Sequence, residues 1–238
     1  MHEPASARSL AQEVTQLPTS FASCPQFFVQ RQPPAVPRGP GLRELCYDGF
    51  AVLHSGDRKT PVYVAHRLNK HALSGIKRQR SDRFFADARL PRAERAELDD
   101  YKRSGFSRGH MAPSGDMVTE EALAQSFSLA NMVPQSIRHN SGPWSKIEQD
   151  TRKYVQRAKG DVYVITGPVF DSSSPRIGAS GVSVPSHVFK LVYDSETRQA
   201  WAHWQRNRDD EVASRPISYS ELVRRTGIEW LPVGAIKP

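Results

Sequence analysis

Apolar and polar positions along the chain divide it into short strands and a few helices. Tyr47 to His54 and Pro61 to Leu68 are rich in β-branched and aromatic residues, and Ser55-Gly56-Asp57 between them is turn chemistry. That pattern predicts a β-hairpin. Asp161 to Phe170, DVYVITGPVF, is a nearly continuous apolar run and predicts a central strand buried on both faces. Ser183 to Tyr193 and Gln199 to Gln205 flank the turn-like Asp194-Ser195-Glu196 and predict a second hairpin. Elsewhere the period is helical. Trp144, Ile147, Thr151, Tyr154, Val155 and Ala158 recur at three- and four-residue steps, giving one apolar face. Pro143 suits the first position of that helix, with Gly142 or Ser141 as its cap and Gly160 as its end. Thr119 to Phe127 reads as a helix capped by Thr119, with Glu120 and Glu121 in the dipole-favoured first turn. Pro91 to Leu98 reads as a short helix with proline in its first turn. Ser218 with Glu221 forms a capping box that opens a helix through Arg225, closed by Gly227. Hairpins interleaved with helices predict an α+β domain with a mostly antiparallel central sheet flanked by helices.

Met1 to Leu17 is polar and rich in Ala and Ser, so residues 1–20 read as a weakly anchored tail ahead of one domain over 21–238. Pro25 to Pro40, with Pro33, Pro34, Pro37 and Pro40, reads as an extended connector lying on the domain surface. No run approaches the ~18 apolar residues of a membrane span, so no membrane association is expected.

Charge adds a partner class. Lys and Arg number 33 against 25 Asp and Glu, a net charge of +8. Such a balance suits a polyanionic partner, although a solubility surplus accounts for it equally well. The basic residues concentrate at Lys70, Lys77, Arg78, Arg80 and Arg83, just before Phe84 and Phe85. This stretch reads either as a phosphate-contacting patch or as a solvated face beside a core aromatic. Cys24 and Cys46 are too few for a thiolate zinc site. They are either buried thiols or a disulfide, which would place the chain in an oxidising compartment. Met1 to Ser20 carries no signal pattern, so a cytosolic chain and an exported chain without its leader both fit.

The candidate chemistry centres on Ser107-Arg108-Gly109-His110-Met111-Ala112-Pro113. A neutral imidazole with a pKa near ~6.5 can take a proton from water. Arg108 lies two residues from His110, and the guanidinium fork matches phosphate geometry. Gly109 between them would let the backbone approach a ligand closely. Further on come Asn131-Met132-Val133-Pro134-Gln135, then Asn140, Trp144, Glu148 and Arg152. Asn140 can offer an amide oxygen to a hard cation, and Glu148 can hold a metal-bound water. Helical spacing puts Glu148 beside Arg152 and places Asn140 on the same line, just ahead of the helix start.

The ordered set Arg108-Gly109-His110, Asn131-x-x-Pro134-Gln135, Asn140, Trp144 and Glu148 resembles the signature of the DNA/RNA non-specific endonuclease family, which includes Serratia-type nuclease and the endonuclease G type. The likeness runs from about Tyr47 to Pro232, with Thr166-Gly167-Pro168 and Thr226-Gly227 as further matches. It implies a ββα-metal fold and Mg²⁺-dependent cleavage of DNA and RNA to 5′-phosphate ends, with Mn²⁺ or another divalent cation as a substitute. By position it implies His110 as general base, Asn140 as the direct metal ligand and Glu148 as the holder of a metal water. It makes Arg108 and Arg152 the groups that stabilise the transition state or hold phosphate, with Arg80 or Arg83 as a further phosphate contact. It gives Asn131 a structural role. Ser107 departs from the family, which has Asp at this position in support of the active-site strand. The family resemblance also implies export, with Cys24 paired to Cys46 in the periplasm or outside the cell, and it admits a homodimer and an inhibitor protein as partners. Two alternatives stay open: a nucleic-acid-binding member weakened in catalysis at Ser107, and a toxin-type nuclease with an immunity partner.

Overall fold

The computed structural model describes residues 16–17, 19–74 and 83–237. Seven strands form one antiparallel sheet in the order Ile217–Ser218, Gln199–Arg206, His187–Asp194, Val162–Val169, Thr60–Leu68, Ala51–Ser55 and Leu42–Cys46. Both expected hairpins form, and the apolar run is the middle strand, fourth of seven. The edge strand Leu42–Cys46 has two exposed polar residues in five, which hides it from periodicity.

Successive side chains on a strand point to opposite faces, so the sheet separates two cores. One face packs Tyr63, Ile165, Phe189 and Leu191 with Phe21, Phe28 and Trp230. The other turns Val52, Val64 and Val188 toward Phe50, Met111, Trp144 and Ile147. The same alternation places His66, Thr166, Lys190 and His203 on this second face. Lys190 lies in register with Thr166 on one neighbouring strand and with His203 on the other.

The segment Pro25 to Pro40 is not a surface connector. It delivers Phe27, Phe28, Val29 and Val36 into the first core through tight turns at Pro25–Phe27 and Val29–Arg31. Prolines and polar residues break up the apolar positions in sequence, so their convergence is not visible there. Gln16–Leu17 pairs with Val36–Pro37. A Cys24–Cys46 disulfide fastens this segment to the edge strand, contributing ~3 kcal/mol in the chain-entropy model.

The remaining elements position the site. Pro91 to Leu98 is not one helix: a single turn at Arg92–Glu94 is separated from a helical turn at Leu98–Tyr101 by extended backbone at Arg95 and Glu97. Glu120–Gln125 is a helix capped by the Thr119 hydroxyl, and Tyr219–Thr226 opens on Ser218 and closes on Gly227 at φ 68°. Phe106–His110 pairs antiparallel with Met132–Ser136 as a separate two-stranded ladder. From its second strand the chain turns directly into helical backbone: Ile137–His139, a wide π turn over Asn140–Trp144, and an α-helix over Ser145–Val155. This is a ββα unit, packed on the second core through Met111, Val133, Trp144 and Ile147.

Helical backbone therefore starts at Ile137, ahead of the position where Pro143 suggests a first turn. Proline lacks an N–H and its ring crowds the carbonyl four residues back. The π turn absorbs that conflict by widening the helix at Asn140–Trp144, and such turns recur at functional sites. Asn140 thus stands inside the helix, on its widened turn.

Candidate active site

His110 ends the first strand of the ladder and Arg108 sits two residues before it, on the same face. Both line a cavity of about 340 Å³ together with Phe84, Tyr101, Phe106, Ser107 and Asn140. The ladder supplies the imidazole and the guanidinium, and the π turn supplies the amide. The His110 ring stands edge-on to Phe127 at 5.0 Å and tilted to Phe84 at 5.9 Å. The Arg108 guanidinium lies over the faces of Phe84 at 4.8 Å and Tyr101 at 5.7 Å, contacts that hold a cation without consuming its N–H donors.

Three side chains fix this ladder. Asn131 is fully buried; its amide accepts from the Ala112 N–H at 2.9 Å and donates to the carbonyls of Ala112 and Ser126, each at 2.9 Å. That clamp holds the chain just beyond His110. The Ser107 hydroxyl donates to the Gln135 carbonyl at 2.9 Å, a bond that an ionised aspartate could not make. Gly109 serves packing within the protein. A methyl there would lie 2.0 Å from Gln135 Oε1 and 2.6 Å from its Cβ. What approaches this glycine is therefore the buried Gln135 side chain, whose amide donates to His139 Nδ1 at 3.0 Å.

Glu148 and Arg152 do not line that cavity. They stand further along the helix, beside a buried group of charges formed by His66 and Lys190 of the sheet and Asp116 of the turn Ser114–Asp116. Arg152 Nη1 donates to Asp116 Oδ1 at 2.7 Å, so its partner is Asp116 and not Glu148. The other Asp116 oxygen receives His66 Nε2 at 2.9 Å. Lys190, 1% exposed, donates through Nζ to the Thr166 hydroxyl at 2.9 Å and lies 5.3 Å from the centre of the Trp144 ring. Burial pushes the Glu148 carboxyl up to about 7, against the opposing pull of the Lys190 ammonium. Burial alone would raise Asp116 too, but its bond from His66 and the nearby cations hold it below the ordinary carboxylate value. Burial lowers Lys190.

Asp116 falls within the signature stretch yet shows no sequence sign of its partners. His66 and Lys190 show none either, because each is one polar residue in an apolar strand. Arg83 is exposed and immediately precedes Phe84, a residue of the cavity wall. Arg80 lies outside the described residues.

Five histidines, His54, His66, His139, His187 and His203, are lowered from 6.5, in each case chiefly by burial, and His203 reaches about 4. A histidine whose folded-state pKa lies below its unfolded value binds fewer protons when folded. Its contribution is complete above the unfolded value and is lost as pH falls toward the folded one. These histidines therefore remove stability as pH drops below about 6.5, while Glu148, raised to about 7, contributes in the opposite sense, and His203 alone removes roughly 2 kcal/mol at pH ~5. At 2–4 °C per kcal/mol this is about 4–8 °C in Tm. Melting curves of the wild type and of His203→Gln across this range test it, and the same pH dependence of Tm in both would contradict it.

With this geometry in place, comparison with known proteins is specific. Residues 34–232 match the family model for DNA/RNA non-specific endonucleases. The mitochondrial nuclease EXOG of Xenopus laevis is 31% identical over 201 residues, covering 73% of this chain and 56% of that protein. Human EXOG is 34% identical over 163 residues, covering 64% and 44%. Nuclease C1 of Cunninghamella echinulata is 39% identical over 162 residues, covering 61% and 62%. The matches thus span about half the length of the EXOG relatives. Among solved structures, EndoG from the EndoG/EndoGI complex superposes with a TM-score of 0.69 at 22% identity, covering 80% of this chain and 86% of that one. It shares the fold. With the family model matched over the sheet, the ββα unit and the helix that follows, the chain belongs to the DNA/RNA non-specific endonuclease family.

Proposed function

We propose that the protein is a divalent-metal-dependent endonuclease that hydrolyses phosphodiester bonds in DNA and RNA without base specificity. The observation that carries this reading is the single cavity lined by His110, Arg108 and Asn140. Its contents match the needs of phosphodiester hydrolysis: a base for water, a cation for phosphate and an oxygen ligand for a metal. The net charge of +8 suits phosphate-backbone binding, which carries no sequence information.

The donor set fits a hard cation. No cluster of three or more His, Cys, Asp or Glu side chains suited to a metal exists among the described residues. Zinc sites draw on such sets. One amide oxygen from Asn140, with Glu148 acting through water, instead suits a largely hydrated Mg²⁺ or Mn²⁺. Such an ion, when bound, would stabilise charge on the leaving oxygen. The His110 imidazole takes a proton from the attacking water as its oxygen bonds to phosphorus. The bond from phosphorus to the 3′ oxygen breaks, and that oxygen gains a proton. The products are a 5′-phosphate and a 3′-hydroxyl. Arg108 in the cavity and, by family likeness, Arg152 offset the charge gathering on the phosphoryl oxygens, and Arg80 or Arg83 extends the phosphate contacts.

The disulfide fits a periplasmic or secreted protein. An inhibitor protein belongs in the proposal because the structurally similar EndoG was crystallised with EndoGI, in a study of EndoG inhibition. A homodimer is proposed on family likeness alone.

Plasmid DNA and RNA are the test substrates. Both should be degraded with Mg²⁺ and remain intact with EDTA. Asn140→Ala should need about 10-fold or more Mg²⁺ for half-maximal rate, since loss of a metal ligand weakens binding at least as much as loss of an outer-shell partner. Undiminished cleavage in EDTA, or an unchanged Mg²⁺ requirement in Asn140→Ala, would overturn the metal assignment. Binding without cleavage under every divalent metal would overturn the nuclease reading.

A further inference from the structure

The buried carboxylate behind Arg152 has no role in the reaction just described, and the glycine before it lies in the tight turn Ser114–Asp116 without the positive φ that would call for glycine. Both bear on the same guanidinium. Asp116, 3% exposed, offers one oxygen to Arg152 Nη1 at 2.7 Å and the other to His66 Nε2 at 2.9 Å. His66 is fully buried on the central sheet. Its Nε2 must carry the proton to donate to a carboxylate, and its buried Nδ1 has no partner, which is the tautomer expected of a neutral ring. Gly115 contributes by what it lacks. A Cβ at this position would lie 2.8 Å from Arg152 Nη1 and 3.0 Å from its Cζ. The guanidinium occupies the space that a side chain would fill.

We propose that His66, Asp116 and Gly115 are positioning residues for Arg152: the sheet-borne histidine fixes the carboxylate, the carboxylate orients the guanidinium, and the glycine leaves room for its seat. The inference rests on the reading above in which Arg152 serves phosphodiester cleavage. A guanidinium carries five N–H donors, so one bond to Asp116 fixes its direction without exhausting it. The Arg152 side chain is 23% exposed while the Asp116 side chain is 2% exposed, so the anchored end is dry and the arginine still reaches solvent. A catalytic cation held this way does not reorganise when the phosphate arrives.

A surface ion pair or a purely structural one would behave differently, and two unlike variants separate the cases. Asp116→Asn removes the charge that orients Arg152. Gly115→Ala keeps every charge and places a methyl against the guanidinium. The obstacle is the far end of a flexible side chain, so the fold should accommodate it with a Tm within about 2 °C of wild type. Each variant should lower kcat on a duplex oligonucleotide by about 10–100-fold at saturating Mg²⁺, because misplacing a catalytic group by about 1 Å costs on that order. KM should stay within about threefold. Placed on an Arg152→Ala background, neither change should lower kcat by more than about threefold further, since the residue they act through is gone.

Losses that add in full on the Arg152→Ala background would overturn the inference and make Asp116 a structural residue. Wild-type kcat in both Gly115→Ala and Asp116→Asn, with a large loss in Arg152→Ala, would overturn it while leaving the role of Arg152 intact. Full activity of Arg152→Ala would overturn the reading of Arg152 itself, and the inference with it.

Discussion

His110→Ala should reduce cleavage of both plasmid DNA and RNA by about 10²–10⁴-fold, the span that a positioned general base supplies. His110 ends a strand whose register is set by the ladder to Met132–Ser136. Its ring is lodged between Phe84 and Phe127, which fix the imidazole direction in the cavity it shares with Arg108 and Asn140. The ring is only partly buried, so its loss should cost little stability, within about 1 kcal/mol. The two readouts therefore separate: initial rates with excess Mg²⁺ should collapse while the melting temperature holds. Salt-sensitive nucleic-acid binding should persist, because the phosphate-contacting cations are untouched. Rates within about threefold of wild type would remove His110 from the mechanism and leave the proposed reaction without its base.

Gly109→Ala should be the most damaging change to the fold of the site. The methyl would meet Gln135 Oε1 at 2.0 Å and Gln135 Cβ at 2.6 Å, and Gln135 is fully buried with its amide engaged by His139. A fully buried side chain, clashing at Cβ as well as at its tip, cannot swing clear, so the two strands must separate or shift. Overpacking of this kind costs about 1–3 kcal/mol. That corresponds to a Tm lower by about 2–12 °C at 2–4 °C per kcal/mol. His110 is the next residue, so activity should fall by about 10-fold or more as well. Gln135→Ala in the same chain removes the obstructing atoms beyond Cβ and should restore part of both losses, a coupling expected only between residues in contact. Wild-type melting and rates in the single variant would show that the ladder tolerates the methyl and that the glycine is not a packing requirement.

The contrast between Gly109 and Gly115 shows how far the sequence carries. Gly109, between Arg108 and His110 in a basic chain, looks like a glycine of a phosphate-binding loop, whereas Gly115, between Ser114 and Asp116, carries no such sign. Local chemistry alone suggests that Gly109 brings backbone close to a ligand. In the fold each clears space for a side chain of the protein itself, Gln135 in one case and Arg152 in the other. The partner of Gly115 lies 37 positions away in the chain, beyond the reach of any local pattern.

Pro143 gives a second contrast. Proline with Gly142 before it is ordinary helix-start chemistry, and the apolar face through Trp144, Ile147, Thr151 and Val155 is correctly legible. The residues ahead of Pro143 nevertheless continue as helix, because the ladder strand Met132–Ser136 leads straight into Ile137 and a π turn accommodates the ring. That turn decides where Asn140 sits. The N-terminal prolines misled in the other direction, since Phe21, Phe27 and Phe28 turn inward to complete one core.

What the sequence determined by itself was local or ordered along the chain. It includes the two hairpins, the central strand, the caps at Thr119 and Ser218, the apolar face of the long helix, and the spaced signature from Arg108 to Glu148 that marks the family. These depend on backbone propensities and side-chain periods that act over a few residues. The tertiary structure alone decided which groups meet. It placed Arg108, His110 and Asn140 around one cavity and moved Arg152 from its helical neighbour Glu148 to Asp116. It also brought His66 and Lys190 under the site from strands that otherwise read as core. A buried charge survives only where a partner offsets its desolvation, and that partner is supplied by packing between distant segments.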